Sequence, residues 1–167
     1  DDESFYSLTH RPSPRVLILY SDPLFFRAGK TGWFLRELFG GGRETLAGRE
    51  ADFLEAARWN EADLSKYGTV LVADAGRAAP GLSAGLESFA ERGGGVVMLP
   101  GSRATTADLA AYPWLPARFG VLVDAPAAGV KAARTGEALS GWDELELSKI
   151  IIRKMFALEP APGSEPW

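Results

Sequence analysis

The sequence predicts an α/β domain with a doubly wound, mostly parallel sheet and helices on both faces. Short, mainly apolar runs at 15–19, 69–73 and 96–99 are typical of strands that are covered on both sides. Helical periodicity follows these runs, and glycine triplets at 40–42 and 93–95 end two of the helices. Because a strand buried on both faces needs a helix on each side, these observations together indicate the doubly wound class.

The composition excludes several classes of function. With 167 residues, 46% of them apolar, the chain is predicted to bury a substantial core. A formal net charge of −4 argues against nucleic-acid binding, which needs a basic face. The chain has no cysteine and a single histidine, His10, so disulfides, thiol nucleophiles and multi-histidine metal sites are excluded. We assign no catalytic residue, no metal and no cofactor, although carboxylates and a serine remain candidates for a site, as described below.

The first part of the domain is predicted as strand, helix and strand. Residues 15–21 form a strand that ends at Asp22, and residues 30–39 form a helix. The apolar stripe of this helix comprises Phe34, Leu35, Leu38 and Phe39. Residues 51–54 fit a second strand, and a helix is the alternative within 44–57.

The middle of the chain repeats the alternation. Asn60 is expected to cap a helical turn over 60–67, and residues 69–74 form a strand. Residues 80–92 form an amphipathic helix whose apolar face carries Leu82, Leu86, Phe89 and Ala90. Residues 96–99 follow the glycine triplet as a strand that is expected to be buried on both faces.

The last third has a weaker pattern. A short helix is predicted over 105–111, broken by Pro113, and strand-like residues follow at 119–123. The alanine-, glycine- and proline-rich stretch 124–136 is predicted to be a loop. Residues 149–158 favour a strand over a helix, because they contain three consecutive isoleucines.

The element order predicts one main domain at 15–167, of flavodoxin or amidotransferase type. Residues 1–14 contain Phe5 and Tyr6, which resemble a short strand, and then a proline-rich linker. We interpret 1–14 as a lead-in strand and linker from a preceding domain.

Two aspartates follow predicted neighbouring strands. Asp22 and Asp74 each stand at a carboxyl end, where ligands of parallel sheets bind, so both are expected at one crevice. Two close carboxylates can split their pKa values for acid–base chemistry or hold a hard cation. The alternative is that each caps a nearby turn or helix.

A second group of candidate residues follows the strand at 96–99. Pro100, Gly101, Ser102 and Arg103 are expected to line the same crevice. Ser102 would be a nucleophile only with an activating base, and no histidine is near it in sequence. The alternative is that Ser102 caps the following turn and Arg103 is solvated.

The segment 27–32 contains Gly-Lys-Thr after a strand, as a phosphate-binding loop does. Such a loop requires glycine at the position of Leu24, and Phe25 and Phe26 crowd the place where backbone amides would meet a phosphate. The sequence therefore favours an ordinary strand-to-helix connection here.

Several segments resemble the class I glutamine amidotransferase-like domain, which has a flavodoxin-like α/β sheet. The resemblance is to the version in large bacterial membrane proteins of the aerotolerance-operon (BatA-like) type, which also contain a von Willebrand factor A domain. It lies in RVLIL at 15–19, DLSKY at 63–67, TVLVA at 69–73 and GGGVVMLPG at 93–101. Further similar segments are 112–120, 142–154 and, as the last strand of a preceding β-sandwich, 1–8.

The family's mechanism needs a cysteine on the turn after the central strand, activated by histidine and a carboxylate. The resemblance places Pro100 at or beside that turn, and His10 precedes the first strand. It therefore implies a pseudoenzyme, a non-catalytic interaction or structural domain in a larger membrane-anchored bacterial protein. The implied partners are other domains of that polypeptide or a membrane protein complex. The resemblance further implies a position outside the cytoplasm, with the cytoplasm as the alternative. It also implies closing strands beyond Trp167.

Two other functions remain open from the sequence. The first is a small-molecule hydrolase or anionic-ligand-binding domain at the crevice, in which Arg103 would hold the anion. The second is a flavodoxin-like or receiver domain, although Asp22 lacks the adjacent acidic residue that a receiver uses for magnesium.

Overall fold

The computed structural model describes residues 15–39, 50–74, 78–101, 104–129 and 151–162. The chain divides into two compact units, Asp1–Ala104 and Thr105–Trp167. The predicted lead-in 1–14 lies outside the described ranges, so its assignment to a preceding domain stays a prediction.

The first unit contains a four-stranded parallel sheet. Its strands are β1 (Arg15–Tyr20), β2 (Ala51–Glu55), β3 (Tyr67–Ala73) and β4 (Gly95–Leu99), in the order β2-β1-β3-β4. The predicted α/β class with a mostly parallel sheet is thereby confirmed. The ambiguity over 44–57 is resolved for its described part, because 51–55 pair with β1 as a strand.

Helix α1 (Thr31–Phe39) packs on one face of this sheet. Leu35 and Phe39 contact a core cluster that includes Ile18 and Phe25. Phe34, predicted in the same apolar stripe, is 58% exposed, and Leu38 is also exposed. The predicted apolar stripe therefore included residues that are not buried, because this helix buries only the side that faces β1 and its neighbours.

The opposite face of the sheet is also buried. Side chains alternate along a strand, so Leu17 and Leu19 point away from Ile18, and both are fully buried together with Val70 and Val72. Helix α2 (Leu82–Glu91) buries Leu82, Leu86 and Phe89, as its periodicity predicts.

Gly93 ends helix α2 in the left-handed conformation, at φ +89°, where a glycine has no steric cost. The amide of Gly94 donates to the carbonyl of Phe89 at 3.0 Å, which satisfies one of the last helix carbonyls. The predicted role of the glycine triplet in ending this helix is confirmed.

Strand β4 differs from its prediction. It lies at the end of the described sheet, pairs only with β3 among the described strands, and exposes 41% of Val97. The prediction that 96–99 is buried on both faces is therefore wrong. A run of four apolar residues does not distinguish a central strand from one at an edge.

The predicted helical turn over 60–67 is also corrected. Two short 3₁₀ helices stand there, Ala56–Glu61 and Leu64–Lys66, and Tyr67 already belongs to β3. The capping residue is Asp63, whose carboxylate accepts a hydrogen bond from the Ser65 amide at 3.1 Å.

The second unit contains α3 (Thr106–Leu109) and an antiparallel pair, β5 (Ala117–Gly129) and β6 (Ile151–Pro160). Thr105 caps α3 in a reciprocal capping box with Asp108. Strand β6 confirms the predicted strand over 151–158, the described part of 149–158. The loop predicted from residue 124 is wrong over 124–129, where β5 continues, and the remainder lies outside the described ranges. No helix in the described part of the chain is long and apolar enough to cross a membrane.

A polar cluster joins three strands near the amino edge of the parallel sheet. The Asp52 carboxylate accepts hydrogen bonds from Arg15 Nη2 and from the Tyr67 hydroxyl, both at 2.8 Å. These residues belong to β2, β1 and β3, which are neighbours in the sheet. The cluster therefore holds three parallel strands in register at the edge opposite the predicted crevice.

We expect the contribution of Tyr67 to stability to disappear at high pH. Burial first, and the hydrogen bond to Asp52 second, raise the pKa of Tyr67 to about 12. Tyrosine in an unfolded chain ionises near pH 10, roughly. Because the folded chain holds the phenolic proton more tightly, this stabilisation is complete below about pH 10 and is lost as the pH rises towards 12. Denaturant unfolding of the unsubstituted chain and of Tyr67→Phe across this range measures the effect. An equal decline in the variant would contradict it.

Candidate functional site

The candidate site is a cavity of about 300 Å³ at the carboxyl edge of the parallel sheet. Its walls come from the last residues of β1 and β2, from the segments that follow these strands, and from the turn before α2. The lining residues are Tyr20, Ser21, Asp22, Pro23, Glu55, Ala56, Ala57, Ala79 and Pro80. This is the edge at which the sequence predicts a crevice, because ligands of open parallel sheets bind beyond the carboxyl ends of the strands.

Asp22 lines this cavity and also shapes the turn beside it. Its side chain is largely buried, and Oδ1 accepts a hydrogen bond from the Leu24 amide at 2.9 Å. Its carbonyl accepts from the Phe25 amide, also at 2.9 Å. The alternative interpretation of Asp22 as a turn-capping residue is thus confirmed, and the same residue borders a space large enough for a small molecule.

Asp74 stands at the end of β3, the strand next to β1, as predicted. Its backbone has φ +51°, in the left-handed region that only glycine, asparagine and aspartate enter readily. Its amide donates to the Leu99 carbonyl at 3.0 Å. Asp22 and Asp74 therefore lie at the same edge of neighbouring strands, but Asp74 is not among the residues that line the cavity.

The Asp74 side chain instead packs against the turn after β4. A Cβ atom added to Gly101 would collide with the Asp74 carboxylate and would lie 2.8 Å from Asp74 Cα. Pro100 directly follows β4 and is half-buried. Ser102 and Arg103 lie outside the described residues, so their predicted place at the crevice stays a prediction.

The connection from β1 to α1 does not form a phosphate-binding loop. The amides of Leu24 and Phe25 both donate to Asp22, and the amides of Arg27 and Lys30 donate to carbonyls three residues earlier. A phosphate would need several amides that converge on one point. The successive turns use these amides internally, as expected for an ordinary connection.

Trp59 supports the wall of the cavity formed by Pro80, and the sequence alone did not identify it as a site residue. Its Nε1 donates to the Pro80 carbonyl at 3.1 Å. Its ring lies against α2 where Gly81 and Gly85 leave room, and a Cβ on Gly85 would come within 2.5 Å of the ring. Two glycines one helical turn apart are the sequence signal for this close approach.

Among the described residues that line the cavity, the charged side chains are Asp22 and Glu55, both acidic. Arg58 lies three residues beyond Glu55, and its Nε donates to Glu61 at 2.8 Å. This hydrogen bond to Glu61 is the main cause of the raised pKa of Arg58. Within the ranges that the structure covers, no group of three or more histidine, cysteine or acidic residues could hold a metal ion.

Comparison of the chain with protein-family models, with curated proteins and with solved structures gives no match.

Proposed function

We propose that this chain is a non-catalytic, amidotransferase-like domain with an interaction or structural role in a larger, membrane-anchored bacterial protein. The observation that carries the proposal is the residue after β4. Pro100 stands directly beyond Leu99, at the carboxyl edge where the resemblance expects the nucleophilic cysteine, and the whole chain contains no cysteine. A pyrrolidine ring has no nucleophilic atom, so the covalent step of amide cleavage has no starting point there.

The arrangement of the sheet supports a fold of this type. The order β2-β1-β3-β4 equals the first four positions of the flavodoxin-like order. The chain moves from β1 to β2 in one direction and from β3 to β4 in the other. Right-handed crossovers in opposite directions place α1 and α2 on opposite faces, which is the doubly wound arrangement.

The surroundings of Gly101 also favour a non-catalytic role. Amide cleavage by a nucleophile needs hydrogen-bond donors around the negative oxygen of the tetrahedral intermediate. The Asp74 carboxylate lies against Gly101 in the turn after β4. The oxyanion of a tetrahedral intermediate formed here would lie beside the Asp74 carboxylate. The repulsion between these two negative charges would raise the energy of the intermediate, because like charges repel strongly in a partly buried site.

A glutaminase assay tests the proposal. The purified chain is incubated with glutamine, and ammonia is measured beside an active class I amidotransferase as the positive control. We expect no ammonia above the level without protein, both for the unsubstituted chain and for Pro100→Cys, since a thiol alone lacks the histidine that activates it. Ammonia release that disappears on Ser102→Ala would refute the proposal.

The proposed setting has its own test in the natural reading frame that encodes this chain. We expect membrane-spanning segments and a von Willebrand factor A domain in the same frame. A reading frame that encodes only a catalytic protein or a receiver protein would contradict the proposed membrane-anchored context. The result of the glutaminase assay would be unaffected by this outcome.

A further inference from the structure

We propose that an open cavity between α3 and the start of β5 binds a small carboxylate with a compact apolar body. The cavity measures about 320 Å³ and lies within the second unit. This inference goes beyond the proposed function, because an interaction or structural role needs no ligand here. It uses neither Pro100 nor the parallel sheet, so its failure would leave the proposed function intact.

The first argument is a buried tyrosine whose hydroxyl group has no protein partner. Tyr112 lines the cavity and is only 3% exposed. Its hydroxyl forms no hydrogen bond within the described part of the chain, where every sealed polar side-chain atom has a partner. The hydroxyl is therefore not sealed, and the open space that Tyr112 borders is this cavity. A nearly buried polar group of this kind is uncommon and indicates a partner from outside the chain.

The Tyr112 hydroxyl serves such a partner as a hydrogen-bond donor. Burial, and secondly the charge of Asp108, raise the pKa of Tyr112, so the phenol keeps its proton. Asp108 is not among the described residues of the wall. Its carboxylate accepts hydrogen bonds from the amide of Thr105 at 3.0 Å and from the hydroxyl of Thr105 at 2.6 Å, in the cap of α3. Asp108 is thus held by the cap, and the phenol proton is available to an acceptor in the cavity.

The second argument is that Arg118, the charged side chain in the described wall, is also a donor. A guanidinium group has N–H donors and no acceptor. Within the described ranges, no carboxylate forms an ion pair with Arg118. Glu159 stands opposite Arg118 in the register of β5 and β6, but both residues are exposed, so water screens their attraction. A carboxylate is the group whose two oxygens match the paired N–H donors of arginine.

The rest of the wall suits an apolar body. It consists of aliphatic and aromatic side chains, namely Leu109, Ala110, Pro113, Ala117 and Phe119. The Phe119 ring packs edge-on against Phe156, with centroids 5.9 Å apart. Sites for small molecules commonly combine such walls with a few polar groups. The volume equals that of about ten water molecules in the liquid, which is enough for one small ring with a carboxylate.

Hydrogen bonds hold these walls together before a ligand arrives. The Thr106 hydroxyl donates to the Gly120 carbonyl at 3.3 Å, which ties α3 to β5. The Ala161 amide donates to the Pro116 carbonyl at 2.8 Å, which fixes the residue before β5. A site that is built in advance loses less entropy on binding.

Heteronuclear NMR titration of the full chain with benzoate tests the inference, and benzamide and benzylammonium are the matched probes without a negative charge. We expect saturable amide shifts with benzoate, concentrated at Ala110, Tyr112, Arg118 and Phe119. Benzamide is expected to bind about fivefold more weakly, because a neutral acceptor forms weaker hydrogen bonds with arginine.

Two arginine variants test the charge. Arg118→Gln is expected to raise the Kd for benzoate about two- to fivefold, the range for loss of one exposed ion pair. Arg27→Gln, at an exposed arginine of the first unit, is expected to leave this Kd unchanged.

Tyr112→Phe and Tyr67→Phe form a second matched pair, since each removes one tyrosine hydroxyl. Tyr112→Phe is expected to raise the Kd for benzoate about three- to tenfold. It is expected to leave the unfolding midpoint in denaturant unchanged, because its hydroxyl bonds to no described residue. Tyr67→Phe is expected to lower that midpoint and to leave the Kd unchanged, because the Tyr67 hydroxyl donates to Asp52.

Several results would overturn the inference. An unchanged Kd in Tyr112→Phe, or an unfolding midpoint lowered as far as in Tyr67→Phe, would show that the Tyr112 hydroxyl serves the fold and not a ligand. Benzamide or benzylammonium binding as tightly as benzoate would show that the cavity does not select a carboxylate. An absence of saturable shifts would show that water alone occupies the cavity.

Discussion

Replacing Phe25 by alanine is expected to lower the free energy of unfolding by about 3–5 kcal/mol. The side chain is 0% exposed, and it packs with Tyr20 and Phe26 in the cluster between α1 and the sheet. Deleting the ring removes its transfer free energy and leaves a cavity, since Gly32 has no side chain to fill the space. Denaturant unfolding of both proteins measures the difference.

Phe34→Ala is the matched control. Phe34 is also a phenylalanine of this region, but it is 58% exposed, and its described ring contact is with the adjacent Trp33. We expect a change of about 0.5 kcal/mol or less, as for most surface substitutions. Equal losses of unfolding free energy in the two variants would mean that burial of Phe25 in its cluster does not stabilise the packing of α1 on the sheet.

Replacing Gly101 by alanine is expected to lower the free energy of unfolding by about 1–3 kcal/mol, the usual cost of overpacking. The new Cβ atom would collide with the Asp74 carboxylate and approach the Asp74 backbone. The backbone cannot give way easily, because the Asp74 amide is bound to the Leu99 carbonyl. The same denaturation experiment measures this loss.

Gly95→Ala serves as the control for Gly101, because its Cβ atom would meet Thr69 Oγ1 only at 3.4 Å, a contact at the edge of the ordinary range. A double-mutant cycle with Asp74→Gly isolates the contact. If the collision is with Asp74, Gly101→Ala costs less in the Asp74→Gly background than alone. Additive losses would place the cause elsewhere.

Periodicity and chain breakers were sufficient to predict most of the elements in the parallel sheet. The apolar runs that contain Leu17 and Val70 became β1 and β3, the two inner strands of the described sheet. Helix α2 buries the face that its spacing marks, and Gly93 ends it. Such signals are local, because hydrophobic spacing and a left-handed glycine act within one turn or one strand.

The candidate site was predictable only in part. Asp22 was identified from its position after a strand, and both the turn that it caps and the cavity that it borders follow from that position. Glu55 and Trp59 were not identified as site residues. Glu55 reaches the site because β2 pairs with β1, and Trp59 reaches it because its ring packs against α2. No local sequence pattern encodes contacts between segments so far apart in the chain.

The sequence by itself therefore determined the α/β class, the inner strands, the glycine end of α2 and the absence of a thiol nucleophile, since all of these depend on residue type or short-range spacing. Only the tertiary structure decided that β4 lies at the end of the described sheet, that Asp74 packs against Gly101, and that Glu55 joins Asp22 at one cavity. The physical reason is that strand order and side-chain contacts between distant segments result from the packing of the whole unit, which local preferences only constrain.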